Sequence, residues 1–455
     1  MVDRPPAVQR DSRKAILSWA LYDWANSAFA TTVMAGFFPV FFKTFCCTGS
    51  EPVTTTARLG FANAISGIVI AVSAPVLGAI ADRGSMKKKL LAFFLFLGVA
   101  MTTALHFVSL GEWVFAVILY ILAIIGFSGG NVFYDALLPS VASEKNRDLV
   151  SSVGYSLGYL GGGILFAFNV WMVLRPGYFG FADSGEAVSW SFVTVGIWWL
   201  VFSLPIMLFV KEPREKVPPS ILTVVREGVG QLRETMREIR HLRVIMLFLA
   251  AYWLYMDGVD TIIRMAVDYG MAIGFDPGDL ILALLITQFV GFPAALCFGF
   301  LGGRIGTKKA IFLGLLVYLF VTVWGAFMQD RREFFLLAVM IGLVQGGVQA
   351  LSRSFYSRII PAHRAAQYFG FYNMIGKFSV VLGPFLVGMV ALMARRAGFE
   401  SHLASRISIS SVSVLFVCGG LLLYFVNEER GRKEAGYLDR SDAGMPGGEE
   451  TTVDL

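Results

Sequence analysis

Twelve long apolar runs, separated by short polar connections, occupy most of the chain. They lie near Ile16–Phe45, Leu59–Ala81, Leu90–Val108, Trp113–Leu138, Leu149–Leu174, Val188–Val210, Val244–Tyr269, Leu280–Leu301, Ala310–Met328, Phe334–Ile359, Tyr368–Ala394 and Ile407–Val426. A helix needs about 20 mostly apolar residues to cross the hydrocarbon core of a bilayer. The runs reach or approach that length and are apolar throughout, without the period-two alternation of a barrel strand. They predict an all-α membrane protein with twelve transmembrane helices. The first run is long, aromatic and studded with polar residues, and no small-residue cleavage site follows a short apolar region. It is expected to stay as a membrane span rather than to be a cleaved signal peptide.

The pattern repeats. Gly78-Ala79-Ile80-Ala81-Asp82-Arg83-Gly84-Ser85-Met86-Lys87-Lys88-Lys89 joins spans 2 and 3. Gly299-Phe300-Leu301-Gly302-Gly303-Arg304-Ile305-Gly306-Thr307-Lys308-Lys309 joins spans 8 and 9, 221 residues later. Span 4 holds Ile125-Gly126-Phe127-Ser128-Gly129-Gly130, and span 10 holds Ile341-Gly342-Leu343-Val344-Gln345-Gly346-Gly347. A turn with proline follows each, at Pro139 and Pro361. Small residues let helices approach closely. The common offset predicts a parallel duplication of a six-helix unit, an architecture of secondary transporters.

The expected organisation is an N-terminal segment over residues 1–15, a six-helix bundle over 16–210, a linker over 211–243, a second bundle over 244–427 and a disordered tail over 428–455. Within the linker, Leu222, Val225, Val229, Leu232, Met236 and Ile239 recur at spacings of three and four, with Arg226, Arg233, Glu234, Arg237 and Arg240 on other faces. This predicts an amphipathic helix, capped by Ser220, on the inner membrane surface or against the bundle. Its simplest role is to tie the halves together; a regulatory or partner-binding role is the alternative.

Composition agrees with the membrane assignment. Charged residues make up 15% of the chain, against about 25% in soluble proteins. The segments before the odd-numbered spans, with the tail, hold 27 of the 38 Lys and Arg. The positive-inside rule then puts both ends in the cytoplasm. Net charge is +6 but is divided among short loops, so no nucleic-acid surface is expected. Cys46 and Cys47 are adjacent and poorly disposed to bridge each other. Cys297 and Cys418 sit in apolar runs, and no metal-binding spacing is present. No cofactor is expected.

Ionisable groups inside spans carry the chemical information, because a charge at the bilayer centre costs roughly 2.5–3.5 kcal/mol and is kept only for a cavity or a partner. On span 7, Asp257, Asp260, Arg264 and Asp268 share one helical face. Asp260 and Arg264 can pair at i, i+4. Asp257 is then either a protonatable carboxylate in a proton or substrate site, or a rung of a self-contained salt-bridge ladder. Span 10 offers Gln345, Gln349 and Arg353; span 4 offers Asn131 and Asp135; span 1 offers Tyr22, Asp23, Asn26 and Ser27; span 11 offers Asn373 and Lys377. Asp23, Asn26, Asp257, Asp260, Arg264, Gln349 and Lys377 are the candidate substrate or proton pathway. Arg264 or Lys377 could hold a substrate carboxylate, and Asp257 or Asp23 an amine or a coupling proton. Asp135 and Arg353 lie near the cytoplasmic ends of their helices and are candidate gates, with Asp82, Arg83 and Arg304 of the basic loops. Asp82 can accept from backbone N–H groups at a nearby helix start, and Arg83 can pair with a carboxylate such as Asp135. Gly303 replaces the acid in the second copy, so a latch there must be weaker or differently built.

Two nucleotide-like patterns fail. Gly370 to Phe378 has the wrong spacing for a phosphate loop and lies in an apolar span. Gly161-Gly162-Gly163 reads as helix-packing material. No nucleophile–base pair and no ATPase machinery are evident, so transport would be driven by a gradient.

The first basic loop resembles the signature of the major facilitator superfamily, in whose fold the first, fourth, seventh and tenth helices line the central cavity. Tyr22-Asp23-Trp24-Ala25-Asn26-Ser27-Ala28-Phe29-Ala30-Thr31-Thr32-Val33, with Phe38-Pro39 after it, resembles the opening helix of the autophagy-related vacuolar effluxer family. Tyr255-Met256-Asp257-Gly258-Val259-Asp260-Thr261-Ile262 resembles that family's seventh helix, and Gln345-Gly346-Gly347-Val348-Gln349-Ala350-Leu351-Ser352-Arg353-Ser354 its tenth. The resemblance covers nearly the whole chain apart from the tail. Eukaryotic members are associated with amino-acid efflux from the vacuole, which implies an amino acid or similar small solute. Short loops and the lack of an organelle-targeting segment point to a bacterial cytoplasmic membrane.

The expectation is a secondary active transporter, not an enzyme. Its partners would be a small polar solute, protons as a coupling ion and the lipid bilayer, and it is expected to act as a monomer. A non-transporting sensor or scaffold is the alternative, but such a bundle would gain stability by losing its buried charges. An intramembrane enzyme would need a nucleophile–base pair or a metal cluster.

Overall fold

The computed structural model describes residues 10–48, 52–212, 221–238, 242–272, 277–378 and 382–442. Twelve helical spans are long and apolar enough to cross a membrane: Arg13–Cys46, Arg58–Gly84, Lys87–Phe107, Trp113–Val141, Glu144–Leu174, Ser184–Phe209, Arg243–Ile263, Gly278–Ile305, Thr307–Phe327, Arg331–Ile359, Ala362–Arg396 and Arg406–Phe425. Spans 1–6 and 7–12 form two halves. The loops after spans 2, 4, 8 and 10 lie together at one face, here called the basic face.

The duplication is visible in local geometry. The turns after spans 2 and 8 both need a left-handed residue, met by Ser85 (φ 47°) and Gly306 (φ 94°). Lys88 then donates from Nζ to the carbonyls of Met207 (2.7 Å) and Val210 (2.6 Å), at the end of span 6. Lys308 does the same to Tyr424 (2.6 Å) and Val426 (2.8 Å), at the end of span 12. Each lysine satisfies carbonyls that a helix terminus leaves open.

Span 1 widens into a π-helical stretch, Phe29–Phe37, after the regular turns of Arg13–Ala28. Its polar side lies against span 5. A Cβ on Gly158 would meet Ser27 Oγ at 2.6 Å, and one on Gly161 would meet the Trp24 carbonyl at 2.6 Å. The glycine run of span 5 therefore brings two backbones together. In span 11 the described residues form the helical stretches Ala365–Phe378 and Leu382–Arg396.

Two amphipathic helices cover the basic face. The linker helix, Ile221–Glu238, packs on span 2, where a Cβ on Gly228 would meet Ile80 at 2.9 Å. Ser220, the expected cap, lies outside the described residues. The tail differs from expectation, since Glu428–Asp442 is helical rather than disordered. Its Gly431 lies against Val244 and Ile359, with Ala435 buried and Leu438 partly buried one and two turns on. These few small and apolar positions, spaced by four and three, are hidden in a strongly charged composition. Residues 443–455 lie outside the described residues.

Candidate functional site

The halves meet at the basic face through charged groups. Arg353 of span 10 is 2% exposed and points into the other half. Its Nη1 donates to Asp135 Oδ1 (3.1 Å) and its Nη2 to Asp23 Oδ2 (3.3 Å). Nε donates to Ser151 Oγ and Nη2 to the Ser151 carbonyl, both at 2.9 Å. The guanidinium also lies over the rings of Tyr155 (4.4 Å), Trp19 (4.8 Å) and Tyr134 (5.3 Å).

The carboxylates are held by further donors. Tyr134 donates to Asp23 Oδ2 at 2.7 Å, and Trp19 Nε1 donates to the Tyr134 carbonyl at 3.0 Å. Trp19 and Tyr134 stack at 4.4 Å. Asn373 of span 11 donates to Asp135 Oδ2 at 3.3 Å. Asp135, one carboxylate that Arg83 could have met, is taken by Arg353 and Asn373, because it faces the spans of the opposite half. Asp23, read as a pathway residue, and Asp135 and Arg353, read as gates, share one cluster. Tyr134, Trp19, Ser151 and Tyr155 were not singled out from sequence, since aromatic and small residues are common in any span.

Two more connections flank this cluster. Asp82, at the end of span 2, accepts from the backbone N–H groups of Ala366 (3.1 Å) and Gln367 (2.8 Å) at the start of span 11. Lys87 Nζ is 2.8 Å from the same carboxylate. A Cβ on Gly370 would meet the Ala74 carbonyl at 2.6 Å, so spans 2 and 11 touch backbone to backbone. On the other side, Asp148 of span 5 accepts from Thr307 (2.8 Å) and Ser354 (2.5 Å) and pairs with Arg358 (2.7 Å). Arg147 donates to the Ser357 carbonyl at 2.6 Å. Asp148 and Arg358 were not singled out from sequence; only the pairing of spans 5 and 10 reveals their role.

The other sequence candidates are spread out. Asn26 donates to Asn131 at 2.7 Å, within the first half. Asp257 is buried and accepts from the backbone N–H groups of Leu382 (2.9 Å) and Gly383 (2.8 Å) and from Thr261 (3.3 Å). These bonds tie span 7 to the first described residues of the second stretch of span 11. Asp260, Gln349 and Lys377 are partly buried on spans 7, 10 and 11. The side chain of Arg264 lies outside the described residues. Arg83 and Arg304 are exposed at the basic loops. Among the described residues no group of His, Cys, Asp and Glu could hold a metal ion.

Twelve spans in two matched halves, closed at one face by charges that cross between them, define the major facilitator fold. Solved transporters share it. A proton:xylose symporter, XylE, superposes with a TM-score of 0.67 over 93% of this chain and 97% of its own, at 14% identity. The human organic anion transporter MFSD10 gives 0.65 over 92% and 100%, at 14% identity. The model described as "Vacuole effluxer Atg22 like" matches residues 46–436, and the chain belongs to that family. An uncharacterized MFS-type transporter of Bacillus subtilis, YxiO, is 38% identical over 90% of this chain and 94% of its own length. Autophagy-related protein 22 of Yarrowia lipolytica is 28% identical over 64% of this chain and 52% of its own, so the match spans about half of the fungal protein.

Proposed function

We propose that this chain moves a small polar solute across a bacterial cytoplasmic membrane by alternating access. In this reading the basic face is turned to the cytoplasm, and Asp23, Asp135 and Arg353 form the inner gate. The observation that carries it is the buried Arg353 guanidinium of one half, shared by two carboxylates of the other. A buried ion pair adds little net stability over apolar packing. Its retention at a seam between halves is explained by a seam that opens. With that face closed, solute would enter from the opposite face.

The family resemblance supports an amino acid as solute. Protons are the proposed coupling ion, with Asp257 as the group that takes them. Protonation of Asp257 would weaken its three hydrogen bonds and loosen the second stretch of span 11 from span 7. Gln349 on span 10 and Lys377 on span 11 are further proposed contacts to the solute.

Proteoliposomes test this reading. Asp257→Asn should abolish gradient-driven uptake and leave counterflow exchange of the same solute intact. Unchanged driven uptake would remove Asp257 from coupling, and no flux of any solute by the unaltered chain would remove the transport reading.

A further inference from the structure

The groups that bond to or stack on the Arg353 guanidinium all belong to the first half. Trp19 and Asp23 come from span 1, Tyr134 and Asp135 from span 4, and Ser151 and Tyr155 from span 5. Most of this cage is braced from within its own half. Tyr134 holds Asp23 at 2.7 Å, and Trp19 holds Tyr134 by a 3.0 Å hydrogen bond and a stacked ring. Span 5 closes in through Gly154, where a Cβ would meet Asp23 Oδ2 at 2.6 Å. Withdrawal of Arg353 would therefore leave the cage standing.

The emptied cage would carry two carboxylates and three aromatic rings. Among the described residues, neither Asp23 nor Asp135 has an ion pair other than Arg353. Such a surface favours a planar cation. Carboxylates bind the guanidinium fork through paired N–H donors, and aromatic faces attract a cation more strongly in a dry site than in water. Arg353 thus occupies the cage as a tethered cation would.

We propose that the cage is the binding site for a cationic solute bearing a guanidinium group, which takes the place of Arg353 when the basic face opens. This rests on the alternating-access reading, because only parting of the halves frees the cage. Solute and Arg353 then compete for the same acceptors. Bound solute holds the face open, and the return of Arg353 displaces it as the face closes.

The test is chemical rescue. Arg353→Ala, purified in detergent, should lose thermal stability relative to the unaltered chain. Millimolar methylguanidinium chloride should restore it saturably, beyond the effect of equal KCl or of neutral methylurea. The rescue should vanish in Asp23→Asn/Arg353→Ala. A shift no larger than that of KCl, or one that survives loss of Asp23, overturns the proposal. Insensitivity to methylguanidinium together with proton uptake by Arg353→Ala also overturns it, since the carboxylates then bind protons instead.

If Arg353→Ala does not fold, Arg353→Gln and the unaltered chain are titrated with agmatine. The variant should bind at least about tenfold more tightly, because apparent affinity falls with the fraction of sites left open by the resident arginine. Equal affinities, or binding by neither, overturn the proposal. Rescue in micelles needs no solute movement. Rescue without flux would sink the transport reading and keep the cage; flux of neutral solutes without rescue would do the reverse.

Discussion

The two flanking latches occupy matching places and are built from different chemistry. In the first, Asp82 sits on span 2 and grips two backbone N–H groups of span 11. In the second, Gly303 stands where that acid would be, and the carboxylate comes from the opposite helix, as Asp148 on span 5. It grips side chains only, those of Thr307, Ser354 and Arg358. The contacts inside each half have kept their form, as Lys88 and Lys308 show. The contacts between halves have not. Intra-half contacts must hold in every state of a moving bundle, whereas the seam only has to hold in one, so its chemistry is free to diverge.

Each latch also has its own covering helix. The linker helix lies over the first, where Arg364 donates to Thr235 at 3.3 Å beside the start of span 11. The terminal helix lies over the second. There Glu428 is 3.5 Å from Arg358, and Arg432 reaches Glu144 of the first half at 3.8 Å. The second latch thus touches the Glu428–Asp442 helix through the Glu428 carboxylate.

The largest difference should come from removing the two acids. Asp148→Ala takes from the buried Arg358 its 2.7 Å partner and leaves it Glu428 at 3.5 Å and the Thr307 hydroxyl, and breaking a buried pair costs about 3–5 kcal/mol. Asp82→Ala loses a helix cap, for which about 0.5–2 kcal/mol is usual, and also the buried pair with Lys87, whose ammonium keeps the Glu212 carboxylate nearby. Both variants break a buried pair, and thermal or chemical unfolding side by side should rank Asp148→Ala as the weaker protein, because a guanidinium and two side-chain hydroxyls lose their acceptor there. Equal losses would erase the distinction between the latches.

A smaller effect is expected from wedging the first seam. A side chain on Gly78 would run into the backbone of Ala366 and Gln367. Overpacking of this kind costs about 1–3 kcal/mol, here charged to the closed state alone. Gly78→Val should keep the fold and raise labelling of a cysteine introduced at Gln367 about tenfold. Gly303→Val, at the place that matches Asp82 in the second half, puts its Cβ in open space and should leave labelling unchanged.

The smallest effect concerns Glu212, which follows span 6 and accepts from the N–H groups of Lys87 (2.8 Å) and Lys88 (3.2 Å). Burial raises its carboxyl above the ordinary value, partly offset by those hydrogen bonds and by the Lys87 ammonium. The folded chain therefore holds this proton more tightly than the unfolded one. The associated stability is present at and below the ordinary carboxyl value and is lost as pH rises through the raised one. Glu212→Gln should flatten that part of the stability–pH curve.

The periodicity of the sequence determined the spans, and the 221-residue offset of the basic loops determined the duplication. In-span Asp23, Asp135 and Arg353 were legible as anomalies because a charge in an apolar run stands out against its neighbours. Their union was not legible. Arg353 lies 330 residues from Asp23 and 218 from Asp135, and helical spacing orders only side chains within a few turns of one another. The same limit hid Asp148 from Arg358 and Asp257 from the second stretch of span 11. The sequence alone thus determined which helices exist and which carry charge. Only the packing of one half against the other decided which charges share a partner, because each half completes the other's acceptors across a seam that no local pattern records.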